Sequence, residues 1–268
     1  MKHNYFTKLF TLLLIILVLF QSCKKEEKVA PELPPESAFV TDFSDFNTTQ
    51  KNKTNYNHAS GKVLFWNLVI AVKLAVPTLS YVEAVKNHEP VYQDDNTWLW
   101  SYKFGTDYTA KLYGKIQDDV SNNDSVEWKM YITKTGSYTD FLWYYGKSAV
   151  SMTGGYWVLF DAPNIGDHVA AELLKITWTT NNDSVGHIKY QNIKAGDAEE
   201  GGYIEYGNDN GYEQLYNTFY NIYNKGQDNL TSIEWDKATK AGRIKDKKHF
   251  SDELWHCWDK DYENIDCE

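Results

Sequence analysis

The sequence predicts a mainly β domain of the α+β class. It reads as an antiparallel meander of about ten strands forming a bent sheet, half-barrel or barrel, with one hydrophobic helix over about residues 59–88 packed on its concave side. Three observations lead there. Short segments after Pro90 alternate apolar and polar residues with turn residues between them, the signature of half-buried strands. Aromatics make up 16% of the chain, with 20 Tyr and 10 Trp against 6 Pro and 16 Gly, a composition that suits pleated surfaces and not disorder. One long run before Pro90 is too continuously apolar for a strand.

That run follows a polar stretch, Thr48 to Asn57, which reads as a loop. Between Val63 and Val76 its only polar residues are Asn67 and Lys73. A helix kinked or restarted at Pro77 is expected. Lys62 and Lys73 are eleven residues apart and share nearly one azimuth, so the polar strip is narrow and the helix is expected to be buried on most sides. A membrane span from Val63 to Val82 is the competing reading; Lys73 near its centre would cost about 2.5–3.5 kcal/mol on insertion.

Trp98, Trp100, Tyr102 and Phe104 alternate with Leu99, Ser101 and Lys103, which makes one face of the first long strand aromatic. Further strands are expected at 108–117, 126–134, 140–146, 155–161, 171–180, 185–194, 202–206, 215–224, 230–236 and 240–245, with connections short enough for antiparallel pairing. Asn-Asn-Asp-Ser-Val occurs at Asn122–Val126 and at Asn181–Val185, and Asn and Asp tolerate the left-handed backbone of a turn. No longer repeat is present, which disfavours a propeller. Ahead of the helix, Phe39, Phe43 and Phe46 are spaced to line one side of a short helix docked on the domain.

At the N-terminus, Lys2 and Lys8 precede a twelve-residue run, Leu9 to Phe20, that is apolar except for Thr11. A charged n-region followed by a short h-region marks a secretory signal, and the run is shorter than the ~20 residues a permanent span needs. The segment Leu19-Phe20-Gln21-Ser22-Cys23 resembles the lipobox of bacterial lipoproteins, departing from the common pattern at Phe20 and Gln21. Lys24-Lys25-Glu26-Glu27 is similar to the tags that route lipoproteins of Bacteroidota to the outer face of the outer membrane. These resemblances imply a signal peptide over 1–22, a palmitate-type lipid anchor on Cys23, a tether over 23–38 and one domain over 39–268. They imply an outer-membrane, cell-surface location, with a periplasm-facing one as the alternative. The element order is similar to the half-barrel of periplasmic lipoprotein carriers of the Lol type, with a lipocalin-like closed barrel next.

The formal net charge is −10, and it becomes more negative once Lys2 and Lys8 leave with a signal peptide. Nucleic acid is therefore not expected as a partner, and attachment to a membrane is expected through the lipid and not a basic patch. No nucleophile elbow, zincin helix, paired-cysteine motif, phosphate loop or dinucleotide fingerprint is present, so no catalytic residue, cofactor or metal is assigned. Glu127, Glu172, Glu205 and Glu234 fall on expected strands, where acids usually face solvent. Cys257 and Cys267 form an even pair once Cys23 is lipidated, and a disulfide is expected; with His249 and His256 a Cys₂His₂ zinc site is the weaker alternative. The acidic run Asp259, Asp261, Glu263, Asp266 and the stretch Gly207–Gly211 carry oxygen ligands but lack an EF-hand pattern, and read as solvated turns.

The functional expectation is a non-enzymatic envelope lipoprotein that binds a hydrophobic ligand or an outer-membrane partner protein on a concave face lined by Trp98, Trp100, Tyr102 and Trp143. A surface glycan-binding protein and a glycoside hydrolase-like enzyme are the alternatives. The first needs an exposed platform of coplanar rings, the second two carboxylates converging in a cleft.

Overall fold

The structure, a computed structural model, describes residues 28–46, 54–117, 124–161, 163, 169–181, 184–208 and 216–267. The signal peptide, Cys23 and the export-like tag lie outside the described residues, as do the two asparagines of the first Asn-Asn-Asp-Ser-Val string, the middle of the second, and residues 209–211. The chain divides into two compact units, Met1–Ala30 and Pro31–Glu268, and the fold described here is that of the second.

Fourteen antiparallel strands are present among the described residues. The first seven are β1 (Val91–Tyr92), β2 (Thr97–Phe104), β3 (Tyr108–Gln117), β4 (Ser125–Lys134), β5 (Tyr138–Ala149), β6 (Gly154–Phe160) and β7 (Glu172–Asn181). They continue as β8 (Ser184–Asn192), β9 (Tyr203–Asn208), β10 (Thr218–Asn224), β11 (Asn229–Trp235), β12 (Gly242–Asp246), β13 (His256–Trp258) and β14 (Asn264–Ile265). Each pairs with its neighbour in the chain, so one sheet runs in sequence order from β1 to β14 and does not close on itself. The expected meander is therefore present, with more strands than expected. The additions are β1 and the short pair β13–β14, where two or three residues leave no alternation to read in a sequence.

Burial alternates along most strands, as in β2, where Trp98, Trp100, Tyr102 and Phe104 are buried and Ser101 and Lys103 exposed. Register shifts interrupt the β4–β5, β6–β7 and β7–β8 ladders, the irregularities that let a wide sheet bend. The Trp128 ring lies flat over Gly114, its direct partner on β3. A Cβ on Gly114 would stand 2.5 Å from the Trp128 ring, so only glycine fits there. Trp157 covers Gly146 in the same way, again at 2.5 Å.

Helix α1 spans Thr54–Asn87 and continues through Pro77, whose missing N–H frees only the carbonyl of the exposed Lys73. It thus begins inside the expected loop. Its contacts fall at both ends of the sheet. Tyr102 Oη on β2 donates to the Ser80 carbonyl at 2.5 Å, while at the other end Asn55 Nδ2 donates to the Cys257 carbonyl on β13 at 2.9 Å. Tyr56 packs on Trp258 and Tyr262. At ~1.5 Å per residue the helix is about 50 Å long, enough to straddle the opening of the bent sheet.

The expectation that α1 is buried on most sides is not met. Val63, Ile70, Leu74 and Tyr81 are buried, but Phe65, Leu68, Val72 and Leu79 are 63–66% exposed. The sheet is open, so only one side of the helix meets it.

Residues 31–46 occupy part of the concave side. Instead of one short helix they form two 3-10 turns, Glu36–Ala38 and Ser44–Phe46, which still bury Phe39, Phe43 and Phe46. Phe39 contacts Tyr81, Tyr144 and Trp157, and Phe46 stacks on Tyr56 and meets Trp235 edge-on. The polar backbone of this segment is satisfied by aromatic side chains. Tyr81 Oη donates to the Pro34 carbonyl at 2.6 Å and Trp157 Nε1 to the Ala38 carbonyl at 3.1 Å. Pro31 and Pro34 are buried, so the packed domain starts at Pro31 and the expected tether is shorter than 23–38.

A short helix α2 (Lys247–Phe250) follows β12, and the Cys257–Cys267 disulfide ties β13 to the residues after β14. Both cysteines are thereby consumed, which removes the zinc alternative. Gly114→Val should destabilise the domain by about 1–3 kcal/mol through overpacking against Trp128. Thermal unfolding followed by circular dichroism would register this as a fall of several degrees in Tm.

Candidate functional site

The sheet and α1 do not seal against each other everywhere. Where residues 61–73 of α1 face β7, β10 and β11 a cleft of 540 Å³ remains, within the range of small-molecule sites. Phe65, Trp66, Val69 and Ile70 form its helix wall, and Leu174 and Ile222 lie opposite on strands. The rim is polar, with Lys62, Lys73, Lys194, Asp197 and Glu199. Lys194 already pairs with Asp161 at 2.8 Å and Lys62 with Asp246 at 3.1 Å, while Lys73 makes no ion pair among the described residues. The Glu199 carboxylate accepts from the Lys225 and Gly226 backbone, fixing two turns at the rim.

One end of the cleft is held by a buried carboxylate. Asp246, the last residue of β12, accepts from His58 at 2.8 Å, Asn229 at 2.9 Å and Thr231 at 3.0 Å, besides Lys62. Lys62 and Thr231 also line the cleft, so this node joins the helix wall to the sheet wall. Burial acts to raise the Asp246 carboxyl, but the hydrogen bonds from His58, Asn229 and Lys62 outweigh it and hold the group well below the usual carboxylate range. The same side chain caps α2 by accepting from the His249 backbone N–H at 3.3 Å.

The His249 ring stacks on His58 with centroids 3.6 Å apart, and Phe250 stacks likewise on His256. Desolvation, followed by the neighbouring His58, lowers the His249 pKa below its ordinary value. The cluster fastens α1 and α2 to the sheet, and it contains no nucleophile aligned with a base.

The aromatic residues expected to bind a ligand lie elsewhere. Trp98, Trp100, Tyr102 and Trp143 are all buried, and none lines the cleft. Trp100 packs on Trp128, Tyr102 stacks on His88, and Trp143 meets Phe141 edge-on. They are core. The residues that do line the cleft belong to α1, to one or two positions each on β7, β8, β10 and β11, and to the turns between them. Their one sequence signal was an apolar helix surface wider than a single sheet face can cover.

The four strand carboxylates do not converge. Glu234 pairs with Arg243 at 2.6 Å, Glu205 lies 3.9 Å from His187, Glu172 accepts from Tyr145, and Glu127 is exposed among Lys115 and Lys129. The Glu172 bond pushes the Tyr145 hydroxyl up to about 12. A shallow 420 Å³ depression on the outer face of β3 and β4 carries Tyr113 and Tyr131, but their rings stand at 86° and make no coplanar platform. Of the acidic C-terminal run, Asp259 accepts from the backbone of Asp261 and Glu263, an ordinary turn.

No protein-family model, curated protein or solved structure matches this chain.

His249 holds its proton less tightly in the fold than in the unfolded chain, so its contribution to stability is complete above about pH 6.5 and declines as pH falls from there. His249→Phe keeps the stacked ring and removes the titration. Urea unfolding between pH 7.5 and 5.5 should show a shallower loss of stability in that variant than in the parent. Asp246→Asn leaves His58 and Lys62 without their buried counter-charge and should cost about 3–5 kcal/mol, read from the same unfolding curves.

Proposed function

We propose that this chain is a non-enzymatic, lipid-anchored protein of a bacterial cell envelope, held through Cys23, and that the cleft beside α1 receives a hydrophobic ligand or an apolar segment of a partner protein. The observation that carries the binding reading is the cleft itself, 540 Å³ with a predominantly apolar wall and a polar rim. Ligand sites are built this way, with apolar surface supplying affinity and a few polar groups fixing orientation. Each buried CH₂ of a ligand would contribute about 0.8 kcal/mol, so an acyl chain or an aliphatic side-chain cluster would bind without any charged recognition element. The membrane reading is supported by the lipobox-like segment and by a net charge of −10, which makes a covalent lipid a better anchor than electrostatics. In this reading the protein sits on the outer membrane, exposed at the cell surface.

The test is gentle purification from the envelope, with intact-mass analysis of the chain and identification of extracted small molecules. A chain beginning at acylated Cys23 and carrying apolar cargo supports both halves of the reading; an unprocessed N-terminus overturns the anchor, and an empty cleft with no affinity for apolar probes overturns the binding site. Val69→Glu places a carboxylate in the cleft wall and should weaken binding of a fluorescent long-chain fatty acid by at least about tenfold, or ~1.4 kcal/mol. Lys129→Ala, on the outer face, should leave it unchanged.

A further inference from the structure

Helix α1 has two apolar faces. At 100° per residue, the buried Val63, Ile70, Leu74 and Tyr81 fall within about 40° of arc, and the exposed Phe65, Leu68, Val72 and Leu79 within about 60° on the opposite side. The exposed stripe is continuous, since Ala75 on the same side is exposed as well. From Phe65 to Val82 the only charged residue is Lys73, which is exposed and lies about 80° from the nearest stripe residue, on the cleft side of the helix. An apolar stripe of this length on the outside of a domain marks an interaction surface.

We propose that this outer face of α1 docks on a phospholipid bilayer, lying in the boundary between headgroups and acyl chains. Two observations select lipid as the occupant. The first is composition: the helix is long and apolar enough to cross a membrane, yet only 28% of its most apolar window is buried, so its free face offers a surface that acyl chains match. The second is position. The packed domain begins at Pro31, and the Pro34 carbonyl is bonded to Tyr81 on α1. Eight residues from Cys23 to Pro31 extend at most about 28 Å, so an anchor at Cys23 keeps this helix close to the membrane. That second argument rests on the proposed lipidation; the first does not.

A second copy of the chain fits the face less well. The residues flanking the stripe, Val69, Ala71, Val76 and Thr78, carry none of the charges that set register and partner in a helix pair, and the face is wider than a two-helix seam.

The full chain, purified with its anchor, would be placed in phosphatidylcholine–phosphatidylethanolamine vesicles, with an environment-sensitive dye on Leu68→Cys, Val72→Cys or, as control, Lys129→Cys. The expected result is blue-shifted emission at 68 and 72, quenched by lipids brominated in their acyl chains, with the dye at 129 remaining aqueous. The signal should not change when protein is diluted into more lipid. Leu68→Glu with Val72→Glu should abolish quenching of a dye on Leu79→Cys, a stripe position outside the cleft, without lowering Tm, because both side chains are in solvent already. Aqueous emission at 68 and 72 would overturn the proposal, as would protection that disappears on dilution, the mark of a second copy. The mass of the Cys23 peptide from the same sample tests the anchor separately. An unacylated Cys23 with retained quenching would overturn lipidation and leave the docking face standing.

Discussion

The structure depends on how an unclosed sheet disposes of its concave side. Fourteen strands in chain order leave two edges that never meet, and an open sheet of this width cannot cover its own inner face. α1 resolves this by making contact at both ends. It is fastened near β12–β14 by Asn55 and by the Asp246 node, and near β2 by the Ser80–Tyr102 bond. Asp246 is the costliest of these fastenings to disturb, because its charge is buried and its partners come from α1, β11 and the start of α2.

Residues 31–46 are the second part of the solution. A chain segment laid under a helix must satisfy its backbone without a ladder, and here the hydroxyls and indole N–H groups of Tyr81, Tyr190 and Trp157 supply the partners. The richness in Tyr and Trp thus has a structural use, since these rings fill volume and still carry a polar tip. The cleft is the portion of the concave side that neither this segment nor α1 fills.

Much of the sheet was legible because a half-buried strand must alternate, and β2 to β12 are long enough to show it. Position within the third dimension was not. Trp98, Trp100 and Tyr102 were correctly placed on one strand face, but nothing local says that Ser80, His88 and Trp128 cover that face. The helix was legible as a helix, and its apolar circumference was misread as burial because a sequence does not reveal that a sheet stays open. The cleft residues come from α1, β7, β8, β10 and β11, which only the folded chain brings together. The Cys257–Cys267 pair was accessible to counting, since no third cysteine in the domain competes for it.

The order of the strands also bears on how the chain reaches this state. Every sheet pairing joins neighbours in sequence, so the sheet can zip hairpin by hairpin, with little entropic penalty for each loop closed. α1 obeys a different clock. It precedes every strand in the sequence, yet Asn55 finds its partner at Cys257, 202 residues later. Until the last strands exist, the helix has no second edge to rest on and both of its apolar faces are bare. Assembly of the domain thus turns on one long-range closure, and α1 is the element whose apolar surface waits longest for cover.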